Sequence, residues 1–159
     1  MDSGIDDSTT LTQIFGLFSL ISLTWLVILH LPPGAKDTLS IYRLHFIHGI
    51  MSSFFAFLYV NKKVPDYYPT MISISYFLVD LANMVTNDFH YKIGSYQKGD
   101  NRVLEYMHHI LCAGVLIYLQ YDHFDPQICN FPENPGPVFM LAEASTPFLI
   151  GKSCKLKII

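Results

Sequence analysis

The chain has 159 residues, of which 51% are hydrophobic and only 14% charged; ordinary soluble domains carry about 25% charged residues. The net charge of -3 is small, and no long basic cluster marks a nucleic-acid surface. Cys112, Cys129 and Cys154 are odd in number and far apart, which argues against a disulfide framework and against a zinc ribbon.

Residues 1–10, MDSGIDDSTT, form a polar, acidic N-terminus expected on the lumenal side. Residues 11–31 follow as an apolar run without Asp, Glu, Lys or Arg, long enough for a first membrane span. A cleaved signal peptide would place a basic region before a shorter apolar core. Here acidic residues precede the run and no A-x-A site follows it, so a retained span is the expectation. Leu31-Pro32-Pro33-Gly34 ends it, because proline cannot continue a helix and glycine releases the turn.

A second span is expected from about Leu44 to Val60, carrying His45 and His48 and closed by Asn61-Lys62-Lys63. A third covers about Thr70 to Tyr91. Its Ser73, Tyr76, Asp80, Asn83 and Asn87 step by threes and fours and so share one helical face; Ile72, Phe77, Leu78, Leu81 and Val85 are expected opposite. Such a polar seam turns inward, towards partner helices or water. After a polar loop at 92–102, the fourth span runs from Val103 to Tyr121. Residues 122–136 contain three prolines and no Lys or Arg and read as a loop. A fifth apolar segment, Pro137 to Gly151, is short for a full crossing and carries Glu143 beside Ala144-Ser145-Thr146-Pro147. Residues 151–159 form a basic tail. The expected fold is therefore all-α, a multi-span membrane helix bundle with about five membrane segments.

Basic residues favour the cytoplasmic side. With five crossings and the N-terminus outside, Lys36, Arg43, Lys92, Lys98, Arg102, Lys152, Lys155 and Lys157 fall in the cytoplasm, and only Lys62 and Lys63 in the lumen. The tail then faces the cytosol, and its Lys155-Leu156-Lys157-Ile158-Ile159 matches a K-x-K-x-x retrieval pattern of the endoplasmic reticulum, a receptor-read address that a lysine-rich tail can also match by chance.

The fourth span holds the densest chemistry. Glu105, His108 and His109 sit in EYMHHIL, and Glu105 can share a helical face with either histidine. The histidines themselves lie about 100° apart around the axis and cannot point the same way. Three readings stand side by side. The histidines are acid–base groups oriented by Glu105 or Asp80; or they ligate a metal; or all these groups fix packing through interhelical hydrogen bonds. The metal reading is weakest, because Glu-x-x-His occurs once and di-iron bundles need it on two helices with two further glutamates. No metal or cofactor is expected. Hydrolase elbows, phosphate loops and dinucleotide fingerprints are absent. Taken together, the costly intramembrane groups point to a polar cavity lined by Asp80, Asn83, Asn87, Glu105, His48 and Glu143, with His108 and His109 as candidate catalytic residues.

SYFLVDL at 75–81, EYMHHIL at 105–111 and LAEASTPFL at 141–149, with His48-Gly49 before them, resemble the TLC domain family. The resemblance runs from about Arg43 to Leu149, within an expected membrane domain at 43–150. It implies an α-helical membrane domain with a lipid-accommodating polar interior, in the endoplasmic reticulum or a related endomembrane, with the plasma membrane as the alternative. The double histidine of the ceramide synthases carries over to His108 and His109. Their Asn-x-x-Arg element and D-x-x-D pair do not, since ILCAGVLIYLQYDHFDPQICNF stands there. The resemblance therefore implies a non-synthase member acting in membrane lipid homeostasis, lipid binding or trafficking. Acyl-CoA-dependent acyl transfer and a purely structural or interaction role are the alternatives. Membrane lipids and neighbouring membrane helices are the expected partners, and nucleic acid is not. Family members continue past the STPFL stretch, so the domain is expected to be incomplete at its C-terminus.

Overall fold

The computed structural model describes residues 7–32, 34, 38–65, 67–90, 102–120 and 136–140. Every regular element among them is helical: α1 (Asp7–His30), α2 (Thr38–Val60), α3 (Tyr67–Val85), a π-helical turn (Thr86–His90), α4 (Arg102–Gln120) and the short α5 (Gly136–Phe139). The all-α expectation holds. Two helical stretches, Thr12–His30 and Ser40–Val60, are long and apolar enough to cross a membrane, and Val103–Leu119 is a shorter apolar helix. Five crossings are thus not established. Of the expected fifth segment only 137–140 fall within the described residues; Glu143, the polar loops and the basic tail lie outside them.

The α1–α2 connection follows from its residues. Pro32 and Pro33 forbid further helix, and Gly34 takes a φ of 106°, a conformation that L side chains rarely adopt. The amide of Leu31 donates to the carbonyl of Val27, and that of Gly34 to the carbonyl of Leu31. Arg43, from the second turn of α2, completes the cap. Its guanidinium donates to the carbonyls of Ile28 (2.8 Å), Leu31 (2.8 Å) and Pro32 (3.0 Å) and to Ser40 Oγ (3.3 Å). A cation at a helix C-terminus also meets the negative end of the helix dipole. The first two helices are thereby tied into an antiparallel hairpin.

Along α2, Ser40, Leu44, His48, Ser52 and Ala56 recur every four residues, and all are buried. Such a row lies on one side of a helix, and its small members let neighbouring backbones approach. Phe46, Ile50, Phe54 and Phe57 occupy the other side and are exposed. Helix α3 begins two residues before Pro69, so the missing N–H falls among first-turn amides that have no intrahelical partner anyway. It packs against α1, α2, α4 and α5 and is the axis of the bundle. His48 meets Ser73 and His45 meets Asp80, so α2 and α3 run antiparallel; Asp80 meets His109 and Asp88 meets Tyr106, so α3 and α4 do as well.

One expectation is corrected here. The sequence places Ile72 and Phe77 opposite the polar seam of α3, but both are buried, as is every residue from 69 to 77. The reason is the N-terminal half of the helix being covered on all sides: Trp25 of α1 donates its indole N–H to the carbonyl of Ile72 (3.2 Å) and to Ser75 Oγ (3.1 Å). Only further along does the expected outer face open, at Leu78 and Val85.

An apolar core that includes Trp25, Leu29, Leu44, Ile72 and Phe77 also encloses polar groups, while large apolar side chains remain on the surface. Among the described residues ten polar or charged side chains are buried, from Ser40 to His109, while Phe15, Leu20, Val27, Phe57, Val103 and Ile110 are among the large apolar side chains left exposed. Two of the helices that carry these exposed side chains are long and apolar enough to cross a membrane.

Candidate functional site

Asp80 lies on the inner face of α3 and is fully buried. Its Oδ2 is 2.8 Å from His109 Nε2 of α4 and 3.1 Å from His45 Nε2 of α2. One carboxylate oxygen therefore joins three helices. An isolated carboxylate in such a place is costly, and two imidazoles at hydrogen-bond distance supply what the site must have to exist.

The protons can be located from the acceptors. His109 Nδ1 is 2.9 Å from the carbonyl oxygen of Glu105, one turn earlier. A carbonyl only accepts, so Nδ1 bears a hydrogen and donates. Nε2 faces Asp80 and shares a second proton with it. If that proton sits on the ring, the pair is imidazolium and carboxylate; if it sits on the carboxyl, both are neutral. The pair carries no net charge in either arrangement, which limits the cost of burying it. His45 Nε2–H donates to the same oxygen.

Aromatic rings pack the imidazoles in place. Tyr76 stands edge-on to His45 at 6.0 Å, tilted to His109 at 6.2 Å, and stacked flat on His48 at 3.7 Å. His48 is buried, with Nε2 3.3 Å from Ser73 Oγ and Trp25 edge-on at 6.1 Å. Phe77 stands edge-on to both His108 and His109. The rings restrict each imidazole to one orientation, as a packed second layer does around any polar site.

A second polar layer lies further along α3. Asn87 Nδ2 donates to Asn83 Oδ1 at 3.3 Å, and Tyr106 O–H donates to Asp88 Oδ2 at 2.9 Å. The π turn at Thr86–His90 begins in this layer. Single π turns are common at functional sites because the extra residue re-aims the side chains after it.

The predicted residues divide as follows. Asp80, His109, His48, Asn83 and Asn87 are all buried within the bundle, and Glu105 is half-buried, its carbonyl orienting His109. His108 is exposed on α4, its Nδ1 3.5 Å from Cys112 Sγ. The paired histidines therefore part, as their angular separation requires. Glu143 lies outside the described residues. His45 was noted in the sequence but not assigned to the polar set. The signal was its i, i+3 spacing to His48, which places the two on neighbouring parts of one helix side. Among the described residues no group of three or more His, Cys, Asp or Glu side chains is arranged to hold a metal ion.

Comparison with protein-family models, with curated proteins and with solved structures gives no match. The fold and the site define the class: an all-α bundle, apolar outside, with two helices of membrane-span character and a buried carboxylate clamped by two imidazoles.

Proposed function

We propose that the chain is a multi-pass membrane protein of the TLC type that binds or moves membrane lipids through its polar interior and so acts in lipid homeostasis. The observation that carries the reading is the Asp80–His45–His109 cluster, a costly ionisable group drawn from three helices of an apolar-surfaced bundle. Groups that served packing alone could be apolar at lower cost, since a well-packed apolar replacement of a buried ion pair is often neutral or stabilising. The three sequence stretches that resemble the TLC family add the lipid. About five crossings, a lumenal N-terminus and an endoplasmic-reticulum location belong to the same reading, on the strength of the basic-residue asymmetry.

The test is lipid profiling of cells expressing the wild-type chain, His109→Gln and Asp80→Asn at matched protein levels. A change in membrane lipid composition seen with wild type and lost in both variants is expected. Identical profiles for all three would overturn the reading. Glycosylation acceptor sites placed before residue 11 and in the 61–66 loop test the topology; both are expected to be modified.

A further inference from the structure

The α1–α2 turn stands where both candidate membrane spans stop, at His30 on one side and Ser40 on the other. Arg43 begins three residues inside the second span, about 5 Å by helix rise. Its side chain runs back towards the turn, since the guanidinium lies against the carbonyls of Leu31 and Pro32 and against Ser40 Oγ. The charge is thereby carried to the boundary of the apolar layer, where long basic side chains come to rest.

That charge meets no formal anion among the described residues: its partners are three carbonyls and a hydroxyl. The connection from 31 to 43 adds Lys36 and Asp37, which cancel, so one positive charge is left over. The donors are not all used either. A guanidinium has five N–H groups. Nη2 serves three acceptors, Nη1 serves the Pro32 carbonyl, and Nε is sealed in without an acceptor. Nη1 keeps a second N–H for an acceptor oxygen, beside the exposed Pro32.

An apolar stripe runs down from the cation. Phe46, Ile50, Phe54 and Phe57 follow Arg43 at steps of three and four, which places all of them on one side of α2, and the four apolar members are exposed. The rise from 43 to 57 is about 21 Å, more than one leaflet of a hydrocarbon core about 30 Å thick supplies. A cation at the boundary with an exposed apolar strip below it fits a charged headgroup and its acyl chain. On the topology proposed above, the turn faces the cytoplasmic leaflet, the one that carries anionic phospholipids.

We propose that Arg43 and the stripe at 46–57 form a seat for one anionic phospholipid, with the guanidinium on the headgroup phosphate and an acyl chain on the stripe. The seat lies outside the polar interior; it rests on the membrane-spanning part of the reading above and not on the Asp80 cluster.

The experiment titrates the full chain in maltoside micelles with phosphatidylglycerol and follows it by native mass spectrometry. Diacylglycerol with the same chains, oleate and inorganic phosphate are the comparison probes. One phosphatidylglycerol, bound saturably and more tightly than any comparison probe, is expected. Arg43→Gln should weaken it about fivefold, the worth of one basic residue near an anionic surface. His30→Gln, in the same turn, should leave it unchanged. A phosphatidylglycerol with a diazirine in its acyl chain, cross-linked to the wild-type chain, gives a result that does not depend on how Arg43→Gln folds. Its cross-links are expected on Ile50, Phe54 or Phe57. Equal binding of diacylglycerol would show that no charge is read, equal binding of oleate that the phosphate is not needed, and displacement by inorganic phosphate that the chains are not. Each of these overturns the proposal, as do cross-links that avoid the stripe or a dimer that excludes lipid from it. Release of the chain from cell membranes by alkaline carbonate would overturn the membrane reading itself.

Discussion

The α1–α2 hairpin and the α3–α4 pair solve opposite problems. Helix α1 buries little beyond Trp25 and Leu29 and turns Phe15, Leu20, Leu23 and Val27 outward. Helix α3 is enclosed for most of its length and carries Ser73, Asp80, Asn83 and Asn87 at its centre. In water, burial would go to the apolar helix and exposure to the polar one. Here apolar character marks the surface and polar character marks the axis, which is the arrangement a hydrocarbon solvent favours, because its own groups cannot satisfy a hydrogen bond. The difference teaches where to look for function in such a chain: on the helix whose polar side chains are enclosed by its neighbours.

That comparison can be broken by substitution. The largest effect is expected at His109. His109→Ala leaves the Asp80 carboxylate with one partner fewer in a buried position, a change that costs about 3–5 kcal/mol in comparable buried pairs. His108→Ala, one residue away and exposed, should stay within about 0.5 kcal/mol. Thermal unfolding in one detergent, monitored by circular dichroism, compares the two; equal losses would mean that the cluster is not what holds α3 to α4. Trp25→Phe comes next. It keeps most of the ring but removes the single indole N–H shared between the Ile72 carbonyl and Ser75 Oγ, for an expected loss of about 1–2 kcal/mol. The same unfolding assay reads it, and a neutral result would detach α1 from the α3 axis. Arg43→Met should cost about 1–2 kcal/mol by freeing the carbonyls at the end of α1. Its specific signature is faster hydrogen exchange at the amides of Leu31 and Gly34, with α3 unchanged. Smallest of all is Thr24→Ala on α1. Its hydroxyl donates only to the carbonyl of Leu20 in its own helix, and a change under about 0.5 kcal/mol is expected in the same assay.

Much of this architecture was legible in the sequence. The polar seam of α3 could be read from steps of three and four, because a helix converts that spacing into one face. The end of α1 at the double proline followed from backbone sterics. The divergence of His108 and His109 followed from a 100° step. What could not be read was enclosure. Ile72 borders the seam, about 20° from Asn83 around the helix, and is met by Trp25 from 47 positions earlier in the chain, while Phe77 packs against the imidazoles of His48 and His109 on two other helices. Nor does spacing along α2 say that His45, rather than another polar group, reaches Asp80, 35 residues away.

The sequence by itself determined the class of secondary structure, the approximate helix limits and most of the costly polar groups, His45 excepted. Each of these depends on residues within a few turns of one another. Only the tertiary structure decided which imidazoles share the Asp80 oxygen and which histidine of the pair faces inward. Those outcomes depend on how separate helices dock, and docking is set by side-chain shape and hydrogen-bond partners far apart in the chain. Local periodicity carries no record of them.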